Sequence, residues 1–169
     1  MQRIMLLLIA AICGLTLFAG CGKQNPNAFI TLVAVSDKTK IISLGMSREE
    51  MSYPVPGNGN PFNDLDAGIK RKWQGGDDFD NLVSVTVVGS LFRTSAGISI
   101  DSAKADVLPA YQADPAVKVL QNDDSTIILG KQINGVNYTA TFRFYPDGSV
   151  KTITLTNTDL YTENEADYT

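Results

Sequence analysis

Histidine is absent from the chain, and cysteine occurs only twice, as Cys13 and Cys21. The first absence removes imidazole as a general base and as a metal ligand, so any catalysis would have to rest on carboxylates, Lys, Tyr or Ser. The second leaves no disulfide framework and no cysteine metal site beyond the N-terminus. Blocks of basic residues are missing too. With 14 Lys+Arg against 18 Asp+Glu and a net charge of −4, there is no electrostatic footprint for nucleic acid. No P-loop, glycine-rich nucleotide fingerprint or nucleophile elbow occurs. These absences point away from an enzyme, and no catalytic residue, cofactor or metal site is assigned.

What is present begins with an address. Met1-Gln2-Arg3 carries one positive charge, Ile4–Phe18 is apolar throughout, and Leu17-Phe18-Ala19-Gly20-Cys21 ends the run in small residues. A charged start, a short apolar segment and small residues at its end make an export signal. The apolar run of about 15 residues falls short of the roughly 20 that a spanning helix needs. Leu17–Cys21 resembles the lipobox of bacterial lipoproteins, a Leu-like residue and two small residues before Cys, with Phe18 standing where Leu is usual. The resemblance implies a leader over residues 1–20, diacylglycerol on the Cys21 thiol, cleavage before Cys21 and acylation of the new amine. Several acyl chains at about 0.8 kcal/mol per buried CH₂ hold a protein on a bilayer stably, where one chain does not. The expected location is extracytoplasmic, on the cell membrane or on an outer membrane. The expected partners are the lipid bilayer, through acylated Cys21, and a protein; nucleic acid is not one.

The remainder is organised around an internal echo. Ile42-Ser43-Leu44-Gly45-Met46-Ser47-Arg48-Glu49-Glu50-Met51 lines up without a gap with Ile98-Ser99-Ile100-Asp101-Ser102-Ala103-Lys104-Ala105-Asp106-Val107. Residues 21–36 read as a tether and lead-in strand, with Ala28–Val35 apolar and β-branched. Residues 37–93 and 94–158 read as two repeats, and residues 159–169 as an acidic tail. In the first repeat Ser47 and Glu50 form a capping-box pattern, and Tyr53-Pro54-Val55-Pro56-Gly57 stops the helix. Phe62–Leu65, Ile69–Trp73 and Leu82–Val88 read as strands. In the second, Ser102 or Asp101 caps a helix running to about Tyr111, with Pro109 expected to kink or shorten it. Three strands follow over Ser125–Ile133, Val136–Tyr145 and Val150–Asn157. Asn134-Gly135 joins the first pair as a two-residue hairpin turn, and Pro146-Asp147-Gly148-Ser149 closes the second. The expected fold is α+β: two helix-plus-β-meander repeats sharing one continuous antiparallel sheet, with short helices packed on one face.

The two echoed stretches resemble the helix-entry motif of the β-lactamase-inhibitor-protein-like fold. That fold is shared with a small outer-membrane lipoprotein of the barrel-assembly machinery and occurs in tandem in bacterial lipoproteins. The resemblance covers about Lys40 to Asn157. It implies the repeat fold and a curved sheet that serves recognition, not β-lactamase inhibition. Asp101 departs from the motif, which favours Gly, and neither repeat has the disulfides of the secreted inhibitors.

Period-two alternation separates the two sheet faces. Ala140, Phe142, Phe144, Ile153, Leu155, Val85 and Val87 read as core. Thr139, Thr141, Arg143, Tyr145, Thr152, Thr154, Thr156, Ser84 and Thr86 read as the opposite face, either solvated or used for recognition. The candidate binding residues are Arg143 and Tyr145, which have the chemistry of interface anchors, with Thr141 and Thr154 beside them. Trp73 aligns with either Phe144 or Tyr145, the former placing it in the core. Asp77-Asp78-Phe79-Asp80-Asn81 gathers oxygen ligands but fails the EF-hand spacing at Leu82. Glu49 and Glu50 face different directions on a helix and make no carboxylate pair. The expected function is a lipid-anchored protein-binding or envelope-assembly module without catalytic activity. The alternatives are an inhibitor of an extracytoplasmic enzyme, a small hydrolase or a ligand carrier. Replacing Cys21 with Ser should release the protein from the membrane fraction or leave it unprocessed; fractionation showing wild-type processing and retention would refute lipidation.

Overall fold

The computed structural model describes residues 26–47, 50, 68–74 and 81–161. The expected leader and Cys21, the body of the first helix, the Phe62–Leu65 strand, the acidic loop at 75–80 and the tail at 162–169 lie outside the described residues. A 3-10 turn at Pro26–Ile30 leads into β1 (Thr31–Ala34) and β2 (Ile41–Ser43). Then come β3 (Ile69–Trp73), β4 (Leu82–Val87) and β5 (Phe92–Thr94). The helix α1 (Lys104–Tyr111) precedes β6 (Lys118–Asn122), β7 (Thr126–Ile133), β8 (Val136–Phe144) and β9 (Val150–Asn157). Strands β2-β1-β5 form a three-stranded antiparallel sheet, and β3-β4-β9-β8-β7-β6 a six-stranded one.

This architecture overturns the expected α+β fold of two helix-plus-meander repeats on one sheet. The described residues are mostly strand, with a single α-helix of 8 residues and two separate antiparallel sheets. Part of the expected lead-in strand is the 3-10 turn, and Ile42-Ser43, read as the short strand that opens the first copy, lies in β2 and pairs with β1. The short strands β5 and β6 escape sequence reading. Three residues cannot display an alternation, and β6 is exposed along its whole length.

The echo survives as a docking turn. Ser43 C=O accepts the Met46 amide at 3.2 Å, and Ser99 C=O accepts the Ser102 amide at 3.3 Å. The Ser43 amide points at Met46 Sδ (3.1 Å) as the Ser99 amide points at Ser102 Oγ (3.0 Å). The third residues, Gly45 and Asp101, are both left-handed, with φ of 88° and 68°. Each turn then bonds both backbone groups of a strand's first residue. Gly45 N–H donates to Leu82 C=O at 2.8 Å and Leu82 N–H to Met46 C=O at 2.9 Å; Asp101 N–H donates to Val150 C=O at 3.0 Å and Val150 N–H to Ser102 C=O at 2.8 Å. Matching bulges follow. A register shift at Lys72/Trp73 sets Trp73 opposite Leu82, and one at Arg143/Phe144 sets Phe144 opposite Val150. Trp73 thus corresponds to Phe144 and leans on the core. Beyond the turns the copies part. Ser47 and Glu50 form a reciprocal capping box at 2.8 and 3.2 Å. Helix α1 instead starts at Ala103 with no side-chain cap, because Ser102 Oγ is spent on the Ser99 amide, which corrects the expected Ser102 or Asp101 cap. Pro109 sits inside α1 without ending it.

One core fills the space between the inner face of the large sheet and a cover made of the 3-10 turn, the small sheet and α1. Leu129, Ala140, Phe142, Ile153, Leu155, Val85 and Val87 are fully buried, and Leu32, Ile42, Leu44, Phe92 and Ile98 close over them. Ile100, the echo of Leu44, is only partly buried but packs on the same core. Tyr111 of α1 is wedged edge-on to Phe29 and tilted against Phe142, each centroid 6.0 Å away. Asn134 and Gly135 carry φ of 52° and 86°, the double left-handed turn that a tight hairpin between twisted strands requires.

Two glycines separate conformational from steric necessity. A Cβ on Gly45 would meet nothing, so Gly45→Ala should lose only the left-handed penalty, about 1–2 kcal/mol. A Cβ on Gly68 would sit 2.5 Å from the Gly89 Cα. Gly68→Ala should therefore lower the melting temperature distinctly more than Gly45→Ala, and equal losses would refute the close approach.

Candidate binding face

The candidate residues lie on the face of the six-stranded sheet that points away from the core. Residues directly opposed in register share a face, so pairing places Lys70, Thr86, Thr154, Thr141, Ile128 and Gln121 in one row across all six strands. A second row runs Lys72, Ser84, Thr156, Thr139, Gly130 and Lys118. Thr152, Arg143 and Thr126 form a shorter third row over β9, β8 and β7. Threonine dominates because its branched Cβ suits a pleated strand while its hydroxyl tolerates water.

The hydroxyls at the centre bond to one another. Thr86 Oγ1 and Thr154 Oγ1 lie 3.0 Å apart, and Ser84 Oγ and Thr156 Oγ1 3.2 Å apart. Ser84 Oγ also donates to Leu155 C=O at 3.1 Å and is buried. This cross-strand bonding fixes the β4–β9 seam and holds its hydroxyls in fixed positions.

Of the four candidate residues, the structure brings three together. Thr141 and Thr154 are opposed and half-buried; Arg143 is exposed two residues along the same strand. Tyr145 lies just past the end of β8, 44% exposed, with the Lys151 ammonium 5.4 Å from its ring centroid. It is a rim residue with a cation already on its ring. Sequence reading missed Lys70, Lys72 and Lys118, which the register adds to this face. The alternation in Ile-Lys-Arg-Lys-Trp pointed to the first two, but only the strand order shows that β3 and β6 are the two ends of the sheet. It also missed Leu120, 59% exposed, which covers Gly130; a Cβ there would meet Leu120 Cδ1 at 2.7 Å.

Five aspartates outside the strands are held as carboxylates by neighbouring hydrogen bonds. Hydrogen bonds from the Thr39 side chain and amide lower Asp37, and those from Ser149 lower Asp147. Gln121, with Ser125 and Thr126, takes Asp123 down to about 2. The Lys131 ammonium, 2.6 Å away, lowers Asp114, and the amide of Asn137 lowers Asp159. A general acid needs the opposite shift. Among the described residues no group of three or more acidic or cysteine side chains is placed to hold a metal ion, and no helix is long and apolar enough to cross a membrane.

A cleft of about 230 Å³ opens on the cover side between Phe29, Ser95, Tyr111 and Asp114. Next to it the Tyr111 hydroxyl is buried without a well-formed hydrogen bond; Thr94 is its polar neighbour, but Thr94 Oγ1 accepts the Ile98 amide at 3.1 Å. Compared with known proteins, the chain matches no family model, no curated protein and no solved structure. Geometry alone therefore carries the functional reading.

Burial pushes the Tyr111 phenol up to about 12, above its ordinary 10. The folded state then holds this proton more tightly than the unfolded chain, so the contribution is intact below pH 10 and is lost as pH rises towards 12. Alkaline denaturation should show wild type losing on the order of 2 kcal/mol more across that window than Tyr111→Phe. Parallel curves for the two proteins would count against a buried neutral phenol.

Proposed function

We propose that the protein is a lipid-anchored, extracytoplasmic binding module, without catalytic activity, that engages its partner through the outer face of the six-stranded sheet. The single observation that carries the reading is the ordered array of hydroxyls on that face, with Arg143 and Tyr145 exposed beside it. Hydroxyls already held in position by one another lose little entropy on binding, and the exposed cation and aromatic beside them add charge and contact area. The turn-bound aspartates support a non-catalytic role, since their carboxylates are held ionised rather than poised to exchange protons. The Leu17–Cys21 motif supports the anchor.

Replacing Arg143 and Tyr145 together with Thr tests this use of the face. Both side chains are exposed, so the melting curve should move by less than about 0.5 kcal/mol in stability. Capture of envelope components by the anchored protein should fall, each lost anchor costing about 2 kcal/mol or more. Unchanged capture would move the site elsewhere, and a large loss of stability would make these residues structural.

A further inference from the structure

We infer that the outer face binds an anionic polysaccharide, a sugar chain bearing carboxylate or phosphate groups at intervals, with the hydroxyl rows facing its sugars and the flanking cations its acids. The inference deepens the proposed binding role and rests on the outer face being the surface used. Its first support is the sign of charge. Among the described residues no strand carries an acidic side chain, and on this face Lys70, Lys72, Lys118 and Arg143 gather as the charged groups. A face of one sign concentrates ligands of the other. Among the described residues, Asp123 and Asp159 stand in turns beyond the ends of β6 and β9 with their oxygens committed to local hydrogen bonds.

The second support is the arrangement. Lys72 and Lys118 end the same row, five strand spacings apart, which is about 24 Å at ~4.8 Å per step. Between them stand the hydroxyls of Ser84, Thr156 and Thr139, followed by Gly130 under the Leu120 side chain. Protein interfaces have the reverse anatomy, an apolar centre within a polar rim. A linear polymer of hydroxylated units with spaced negative groups matches a hydroxyl centre between spaced cations. A lipid surface fits less well. Phe29, in the turn that follows the tether, packs against Tyr111 on the core side of the sheet. Cys21 lies five residues before Pro26, a reach of at most about 18 Å. An anchor there draws the cover layer towards the bilayer and leaves the hydroxyl face pointing away from it.

The test uses the full chain purified in detergent and labelled polygalacturonate as the carboxylated probe, followed by fluorescence anisotropy at low and high salt. Wild type should bind, more weakly as salt rises, and neutral dextran should not bind. The triple variant Lys70→Gln, Lys118→Gln, Arg143→Gln should bind at least tenfold more weakly while melting at the wild-type temperature. The inference is overturned by no polygalacturonate binding from normally melting protein, by equal binding of dextran, or by equal binding of the triple variant. Polyglutamate binding as tightly would point to an acidic protein instead, and phosphatidylglycerol vesicles capturing Cys21→Ser protein as tightly would point to a membrane; either overturns it. If the Arg143→Thr, Tyr145→Thr protein loses envelope capture although polygalacturonate does not bind, the face stands and the ligand class falls. If Cys21→Ser stays membrane-bound, the anchor falls and the polymer result is untouched.

Discussion

The pairing of β4 with β9 is the constraint on which the rest of the structure depends. Among the described residues it is the only strand contact by which β3 and β4 join the β6–β9 meander in the large sheet, and it is made by residues distant in sequence, Val85 opposite Leu155 and Val87 opposite Ile153. All four are fully buried on the inner side, while Thr86 and Thr154 bond across the outer side. Such non-local pairing must overcome a large loop-closure entropy before its contacts accumulate. The two docking turns help by holding the first residue of each strand, Leu82 and Val150, through paired backbone bonds.

The same seam organises the binding face. Because opposed residues share a side, closing the β4–β9 pair aligns two hydroxyl rows that neither hairpin could form alone. The inner and outer faces then divide the labour. One is a dry core anchored by Tyr111, Phe29 and Phe142; the other is a polar array with cations at its margins. Asp37, Asp123 and Asp147 sit in turns, where amides and hydroxyls hold them ionised and where they cap the chain reversals.

Much of the meander was legible. The strands β7, β8 and β9 fall within a residue or so of their expected limits, since long alternations such as Thr139 to Phe144 have one reading and Asn134-Gly135 has one turn. The buried set around Phe142 and Ile153 follows from the same period. The fold class was not legible. An Ile-Ser-Leu-Gly-Met-Ser stretch shows a short strand and a turn, but not that the strand joins β1 in a second sheet instead of the large one. Of the candidate site, Arg143 and the threonines could be read from alternation, but the lysines that share their face could not.

What the sequence by itself determined are the local, short-range features. These are the left-handed turns at Gly45, Asp101 and Gly135, the capping box of Ser47 and Glu50, the alternation that assigns a side to each strand residue, and the charge balance of the whole. Each depends on a few neighbouring residues and on steric or hydrogen-bonding rules that act within one turn or strand. Only the tertiary structure decided the order of the strands, the separate three-stranded sheet, the burial of the Tyr111 hydroxyl and the gathering of Lys70, Lys72, Lys118 and Arg143 on one face. Those outcomes depend on which distant edges meet, and that is set by how all the apolar faces can be buried at once rather than by any segment alone.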